Sequence, residues 1–173
     1  MNNEIKFALL SAFTFSMWVL IEHFTGLNSI YFEKGEPFRL IAGFIPWIFI
    51  FLGIRNRKMN LQGGSITFFE GIRSGLIIAL LGAILIAFFL WLYVNFINTR
   101  MNELSIAFEH KKMIEAKFTQ EQINEQLKGI KQMYNGSFES HLSLAVLFSS
   151  TGILIAAVCS LFLRTRKRNS QFQ

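Results

Sequence analysis

The sequence has 173 residues, enough for one domain, and 52% of it is apolar while only 16% is charged. Soluble domains carry about 25% charged residues, so this composition excludes an ordinary soluble fold and favours a lipid environment. The net charge of +6 does not indicate nucleic-acid binding, because the basic excess lies beside apolar segments, where membrane orientation and anionic lipid account for it.

Four apolar segments are long enough, or nearly so, to cross a bilayer, which takes about 20 helical residues. We predict spans at about 7–24, 38–54, 72–97 and 142–163, within a single membrane domain that covers residues 1–173. The first is longer than the core of a signal peptide, so we interpret it as a retained anchor. The predicted fold class is all-α integral membrane, a four-transmembrane-helix bundle.

Pro46 lies in the middle of the second span, where it removes a backbone hydrogen bond. A kink at Pro46 would open a small cavity. The alternative is that neighbouring helices satisfy the freed carbonyl and the proline is tolerated.

The charges outside the spans predict the orientation of the chain. Basic residues favour the cytoplasmic side of a membrane, and here they are concentrated in the 55–73 segment and in the C-terminal tail. They are Arg55, Arg57, Lys58 and Arg73, then Arg164, Arg166, Lys167 and Arg168. With four spans, both termini are predicted to be cytoplasmic, next to anionic head groups.

The 98–141 segment is predicted to form an extracytoplasmic helical hairpin between spans 3 and 4. Thr119 and Gln122 have the spacing of a capping box, which predicts a helix starting at Thr119. An apolar stripe with helical spacing follows, formed by Ile123, Leu127, Ile130 and Tyr134. The 100–117 stretch is also helical in character, and we expect it to prolong the third span beyond the membrane.

Small residues recur every four positions along the third span and form one face of that helix. They are Gly71, Gly75, Ala79, Ala83 and Ala87. Small residues let helix backbones approach closely in lipid. The stripe therefore predicts helix packing, either within the chain or at the interface of an oligomer.

Glu22 and His23 close the first span and are the candidate polar site. Ionisable residues within a span are costly to bury and are a functional hypothesis by default. Both lie about one turn from the predicted interface, where we expect them to reach water or head groups. An anchoring or interhelical hydrogen-bond role and a proton or ligand site both remain open.

The sequence contains none of the common catalytic or metal-binding motifs. The three histidines, at positions 23, 110 and 141, are far apart, and the single cysteine lies within an apolar span. We therefore predict a protein that is not an enzyme and has no cofactor and no metal site.

Several short motifs together resemble a known family. They are Glu4-Ile5-Lys6, Trp18 with Glu22, Leu52-Gly53-Ile54-Arg55, Gly64-Ser65-Ile66-Thr67-Phe68 through Gly71 and Gly75, the Tyr93–Ile97 exit, the Glu- and Gln-rich outer helix, and the basic tail. The chain resembles small four-span inner-membrane proteins common in Bacteroidota and grouped as a domain of unknown function. The resemblance implies a multi-pass protein of the bacterial inner membrane and implies no activity.

Two functions follow as hypotheses. The first is an accessory or scaffold subunit of the cell envelope, or a homo-oligomer, motivated by the small-residue stripe and the outer hairpin. The second is a small transporter or proton-coupled carrier that uses Glu22 and His23. The expected partners are the lipid bilayer and either a second copy or another membrane protein, and no nucleic acid.

Overall fold

The computed structural model describes residues 2–165, which form six α-helices and no strand. The basic residues at 166–168 that helped to predict the orientation lie outside the described residues. The helices are α1 (Asn3–Phe24), α2 (Glu36–Asn56), α3 (Phe68–Leu92), α4 (Met101–Glu115), α5 (Gln120–Met133) and α6 (Phe138–Leu163).

Four of the helical segments are long and apolar enough to cross a membrane, as the sequence predicts. They are Asn3–Phe24, Glu33–Asn60, Phe68–Ile97 and Phe138–Leu163. The second was predicted too short, since it runs for 28 residues. A 3-10 turn before α2 and a π-helical turn after it carry the helix through charged residues at both ends. Hydropathy places the ends of a predicted span where charged residues begin, although the helix itself continues past them.

Both described chain ends lie at one end of the bundle, which we call the terminal end. There the side-chain amide of Asn3 donates to the Gly53 carbonyl, at 3.1 Å, where α2 ends. Thr165, after α6, donates its backbone N–H to the Ile66 carbonyl, at 2.9 Å, just before α3. The α1–α2 connection therefore lies at the opposite end, which we call the cap end.

The small-residue stripe of α3 packs against α6 of the same chain. A Cβ atom built on Gly71 would lie 2.5 Å from the Ser160 hydroxyl oxygen, and one built on Gly75 would lie 2.5 Å from the Ala156 Cβ. Farther along, Ala79 faces Gly152 in the same way. Ala83 and Ala87 are buried in a cluster with Ala145 of α6. The described fold thus covers this whole face of α3.

Pro46 lies inside α2, which is helical from Glu36 to Asn56. The void beside it measures about 10 Å³ and is also lined by Trp47 and Ile50. That is about the volume that one water molecule needs. The space at Pro46 is therefore too small for an organic ligand.

The third span does not continue into α4, so the prediction that 100–117 prolongs it is wrong. A π-helical turn ends at Ile97, and Asn98 leaves helical geometry with φ −126° and ψ 74°. The side-chain amide of Asn98 donates to the Asn28 carbonyl, at 2.8 Å. This contact with the α1–α2 connection accompanies the break in the helix.

We call α4 and α5 the cap, because they cover the cap end of the bundle. Lys111 and Lys112 of α4 pair with Glu33 and Glu36 at the start of the second span, at 2.7 and 2.8 Å. Hydrogen bonds to these carboxylates raise the pKa of both lysines, so the lysines stay charged at neutral pH. The Phe108 ring packs edge-on against that of Phe32. These contacts fix α4 to the bundle.

The second cap helix begins where the sequence predicts. Thr119 and Gln122 form the predicted capping box, with each side chain hydrogen-bonded to the other residue's backbone N–H. Ile123 is buried, and the other three residues of the apolar stripe are half-buried. The stripe therefore faces inward, and the charged and amide side chains of α5 face outward.

Candidate functional site

Glu22 lies at the end of α1 in a buried network of hydrogen bonds. Only 2% of the residue is exposed, so the expectation that it reaches water or head groups is wrong. The Trp18 indole N–H donates to Oε1 of Glu22, at 2.7 Å, from one turn earlier on the same face of α1. The Asn28 amide donates to Oε2, at 3.3 Å, from the α1–α2 connection. Both carboxylate oxygens therefore have donors within the chain.

Tyr93, directly after α3, joins this network to the end of the third span. Its hydroxyl oxygen lies 3.3 Å from Nδ2 of Asn28 and 3.2 Å from Nδ2 of Asn98. It also lies 3.2 Å from Nδ1 of His23, so the structure brings His23 into the same network as Glu22. We call these five residues, Glu22, His23, Asn28, Tyr93 and Asn98, the outer polar cluster. It joins the end of α1, the α1–α2 connection and the end of the third span.

Most of the outer polar cluster could not be read from the sequence. Asn28 and Asn98 lie outside the regular helices, and 70 residues separate the two partners. Tyr93 resembles an interfacial aromatic residue when only its position in the span is considered. Only Glu22 and His23 gave a signal, as ionisable residues at the end of an apolar run.

A cavity of about 280 Å³ lies between the outer polar cluster and the cap. Glu22, Asn28 and Tyr93 contribute one wall, and Arg39 of α2 contributes another. Side chains of the cap and of α6 line the rest of it, including Asn102, Ser105, Tyr134 and His141. Burial and the nearby Glu109 raise the pKa of Tyr134, so its hydroxyl stays protonated at neutral pH. The cavity thus combines a carboxylate, a guanidinium and neutral hydroxyl and amide groups.

A second buried cluster, which we call the inner polar cluster, lies at the terminal end. Glu4 of α1 is 2% exposed and pairs with the Arg57 guanidinium, which follows α2. The Ser74 hydroxyl of α3 also donates to Glu4, at 2.9 Å. The predicted first span begins after Glu4, at about residue 7, and Arg57 lies in the charged segment after the predicted second span. A helical register from Asn3 would have placed Glu4 on the buried face of α1, with Ala8 and Ser11, but would not have indicated its partners.

Apolar side chains fill the bundle between the two clusters. Ile50, Ile78 and Ile86 are each no more than 1% exposed. They come from α2 and α3 and pack with residues of α1 and α6 in the two largest hydrophobic clusters. These residues therefore form a mainly apolar layer between the cavity and the terminal end.

The described part of the chain does not bring potential metal ligands together. Within residues 2–165, no group of three or more His, Cys, Asp or Glu side chains could hold a metal ion. His23 and His141 both lie toward the cap end, but Nδ1 of His141 bonds to the Ser137 carbonyl in its own helix, at 2.8 Å.

Tyr93→Phe is expected to destabilise the fold by about 1–3 kcal/mol, because it removes the acceptor shared by two buried amides. Unfolding by a denaturing detergent, followed by circular dichroism, would measure the loss. Tyr31→Phe is the matched control, since Tyr31 is exposed and its hydroxyl makes none of these contacts. Equal stability of the two variants would mean that the Tyr93 hydroxyl does not hold the outer polar cluster together.

Comparison with known proteins identifies a family but no activity. The chain belongs to the family DUF4199, described as a protein of unknown function, whose model matches residues 6–165. No curated protein and no solved structure matches the chain. The predicted resemblance to a domain of unknown function over nearly the whole chain is confirmed, while a distribution in Bacteroidota stays a prediction.

Proposed function

We propose that this DUF4199 protein is a non-enzymatic accessory subunit of an assembly in the bacterial inner membrane. Both termini lie in the cytoplasm, and the cap is extracytoplasmic. The basic residues beside the terminal end support this orientation, since cations beside spans favour the cytoplasmic side. Arg55 is exposed there, and Lys58 donates to the Leu163 carbonyl, where α6 ends.

The observation that carries the proposal is the cap, which presents a polar helix on a fixed support. Ion pairs and aromatic contacts hold α4 on the start of the second span. On α5, Glu121 and Glu125 are exposed one turn apart, and Lys128 is exposed nearby. An ordered charged surface loses little conformational entropy when it binds a partner, which favours a contact surface here.

The small-residue stripe of α3 does not support an oligomer interface. Its residues contact α6 of the same chain, so a second copy could reach this face only if α6 moved away. We therefore place the partner contact on the outward face of α5 rather than on α3.

The orientation can be tested by cysteine labelling in a Cys159→Ala background. We expect a membrane-impermeant maleimide to label Lys128→Cys on intact spheroplasts and to label Met59→Cys only after lysis. Both positions are exposed in the structure, which makes them a matched pair. Labelling in the reverse pattern would place the cap in the cytoplasm and contradict the proposal.

The partner can be tested by purification in mild detergent at native expression level. We expect a foreign membrane protein to co-elute in stoichiometric amount, and to fall at least fivefold in the Glu121→Lys/Glu125→Lys variant. Arg55→Glu, an exposed charge reversal at the terminal end, should retain it. A monomer or homo-oligomer alone, or equal loss in both variants, would contradict an accessory role for the cap.

A carrier is the second candidate, and the cavity beside Glu22 is the observation that favours it. A carboxylate within a span, facing a cavity, is a common feature of ion and substrate pathways. Transport would also require a route through the layer of Ile50, Ile78 and Ile86. The accessory role needs no such rearrangement, so we rank it first.

A further inference from the structure

The cavity beneath the cap has side chains of opposite charge on its walls. Glu22 and Arg39 both line it, and Asn28 lies beside Glu22. We propose that this cavity binds a small zwitterion, with its ammonium group held by Glu22 and Asn28 and its anionic group held by Arg39. The proposal does not depend on the accessory role of the protein.

Asn28 lines the cavity and carries a buried acceptor that has no donor among the described residues. Its Nδ2 faces the Val19 carbonyl and a carboxylate oxygen of Glu22, at 3.4 and 3.3 Å. Both of these groups are acceptors, which fixes the orientation of the amide. The other atom, Oδ1, has no hydrogen-bond donor among the described residues, although only 1% of Asn28 is exposed. Buried polar atoms are nearly always paired, so a donor from a ligand would complete the site.

Arg39 supplies donors for the anionic group. Two of its nitrogens hold the carbonyls of Leu27 and Phe32, at 3.2 and 2.8 Å, and the guanidinium stacks 4.0 Å from the centre of the Phe32 ring. Those two bonds leave some of its five N–H groups free, and the planar group suits phosphate or carboxylate. Because the side chain is held at two points, its charge has a defined position.

The charge pattern selects a zwitterion over a simple ion. A lone cation attracted by Glu22 would be opposed by Arg39, and a lone anion attracted by Arg39 would be opposed by Glu22. A zwitterion satisfies both charges. Apolar walls from Phe15, Val19 and Leu90 suit the methylene groups between the charged ends.

The volume limits the size of the ligand. The cavity measures about 280 Å³, slightly below the range of about 300–1,000 Å³ for drug-sized ligands. It therefore fits a head group or an amino-acid-sized molecule and not a whole lipid. An aminophospholipid that inserts only its head group and a soluble zwitterion share this chemistry.

The test uses the delipidated full chain in neutral detergent, titrated with glycerophosphoethanolamine in a calorimeter. We expect saturable binding. Glycerophosphocholine, whose ammonium has no N–H, should bind at least tenfold more weakly. Ethanolamine and glycerophosphate, which each carry one of the two charges, should show the same weakening. No saturable binding, or equal binding of all four probes, would overturn the proposal without needing any variant.

Single-residue variants then test whether the ligand binds in this cavity. Glu22→Gln should weaken the binding of glycerophosphoethanolamine at least tenfold, whereas Glu4→Gln, at the other buried glutamate, should bind it as the unmodified protein does. Equal affinity of the two variants would overturn the assignment to this cavity. If Glu22→Gln does not fold, Arg39→Lys takes its place, because it keeps the charge and loses the planar group. Unchanged binding in Arg39→Lys would likewise overturn the assignment.

Bilayers distinguish the two sources of the ligand. If the ligand is a lipid head group, phosphatidylethanolamine nanodiscs should abolish binding of the soluble probe, while phosphatidylcholine nanodiscs should retain it. Equal binding in both nanodiscs would support a soluble zwitterion. Absence of binding in phosphatidylcholine nanodiscs would overturn the proposal for the membrane-embedded protein.

Discussion

Gly75→Ala is expected to destabilise the bundle by about 1–3 kcal/mol, which is typical of overpacking in a filled core. The added Cβ would lie 2.5 Å from the Ala156 Cβ and 3.0 Å from Cδ1 of Ile54. The Ala156 methyl group cannot retreat easily, because it is bonded directly to the α6 backbone. Helices α3 and α6 would have to separate, and in lipid their association depends on close packing. Unfolding by denaturing detergent, followed by circular dichroism, would measure the loss.

The same contact provides a rescue and a control. Ala156→Gly removes the methyl group that the new Cβ would meet, so the Gly75→Ala/Ala156→Gly double variant should regain most of the stability. Gly43→Ala is the matched control, since Gly43 also lies within a span helix and an added Cβ there meets nothing within 4 Å. Failure of the second substitution to rescue the first would mean that α3 and α6 do not pack in this register.

This experiment also separates the two interpretations of the stripe. An oligomer interface predicts that larger residues at Ala79 disrupt association and leave each subunit folded. The structure places Ala79 against Gly152, where an added Cβ on the glycine would lie 2.7 Å from the Ala79 Cβ. We therefore expect Ala79→Leu to destabilise the single chain.

The features that the sequence predicted well are those fixed by neighbours along the chain. Hydropathy over about 20 residues locates the four helices that are long and apolar enough to cross a membrane, because such a helix satisfies its backbone hydrogen bonds internally. The capping box at Thr119 and the stripe beginning at Ile123 depend on spacings of three and four residues, and both are confirmed. A second capping box, between Thr67 and Glu70 at the start of α3, was not predicted.

The sites were harder to predict because their partners are distant in sequence. In the inner polar cluster, 53 residues separate Glu4 from Arg57, and 70 separate it from Ser74. Nothing local indicates that these side chains meet once four helices pack together. The break at Asn98 is similar, since the contact that accompanies it is made to Asn28 across the bundle. Spacing rules detect caps and stripes, whereas such clusters follow from tertiary packing.

Arg57→Met is expected to destabilise the fold by about 3–5 kcal/mol, the range for a buried ion pair that loses one partner. The Glu4 side chain is 2% exposed, so its carboxylate would remain in the bundle with only the Ser74 hydroxyl as a side-chain donor. The reverse change, Glu4→Gln, should cost less. The Arg57 side chain is 29% exposed and can extend toward water, and a glutamine amide still accepts from Ser74. Unfolding by denaturing detergent would rank the two variants.

The double variant Glu4→Gln/Arg57→Met tests whether the loss comes from the unpaired carboxylate. Removing both charges should leave the protein more stable than Arg57→Met alone, because the neutral amide has a smaller desolvation cost. Arg55→Met is the matched control, as an exposed arginine two residues earlier that makes no ion pair with a described residue. Equal losses for Arg55→Met and Arg57→Met would show that the guanidinium acts at the membrane surface. A loss confined to Arg57 and relieved by Glu4→Gln would show that it acts by joining α1 to the end of α2.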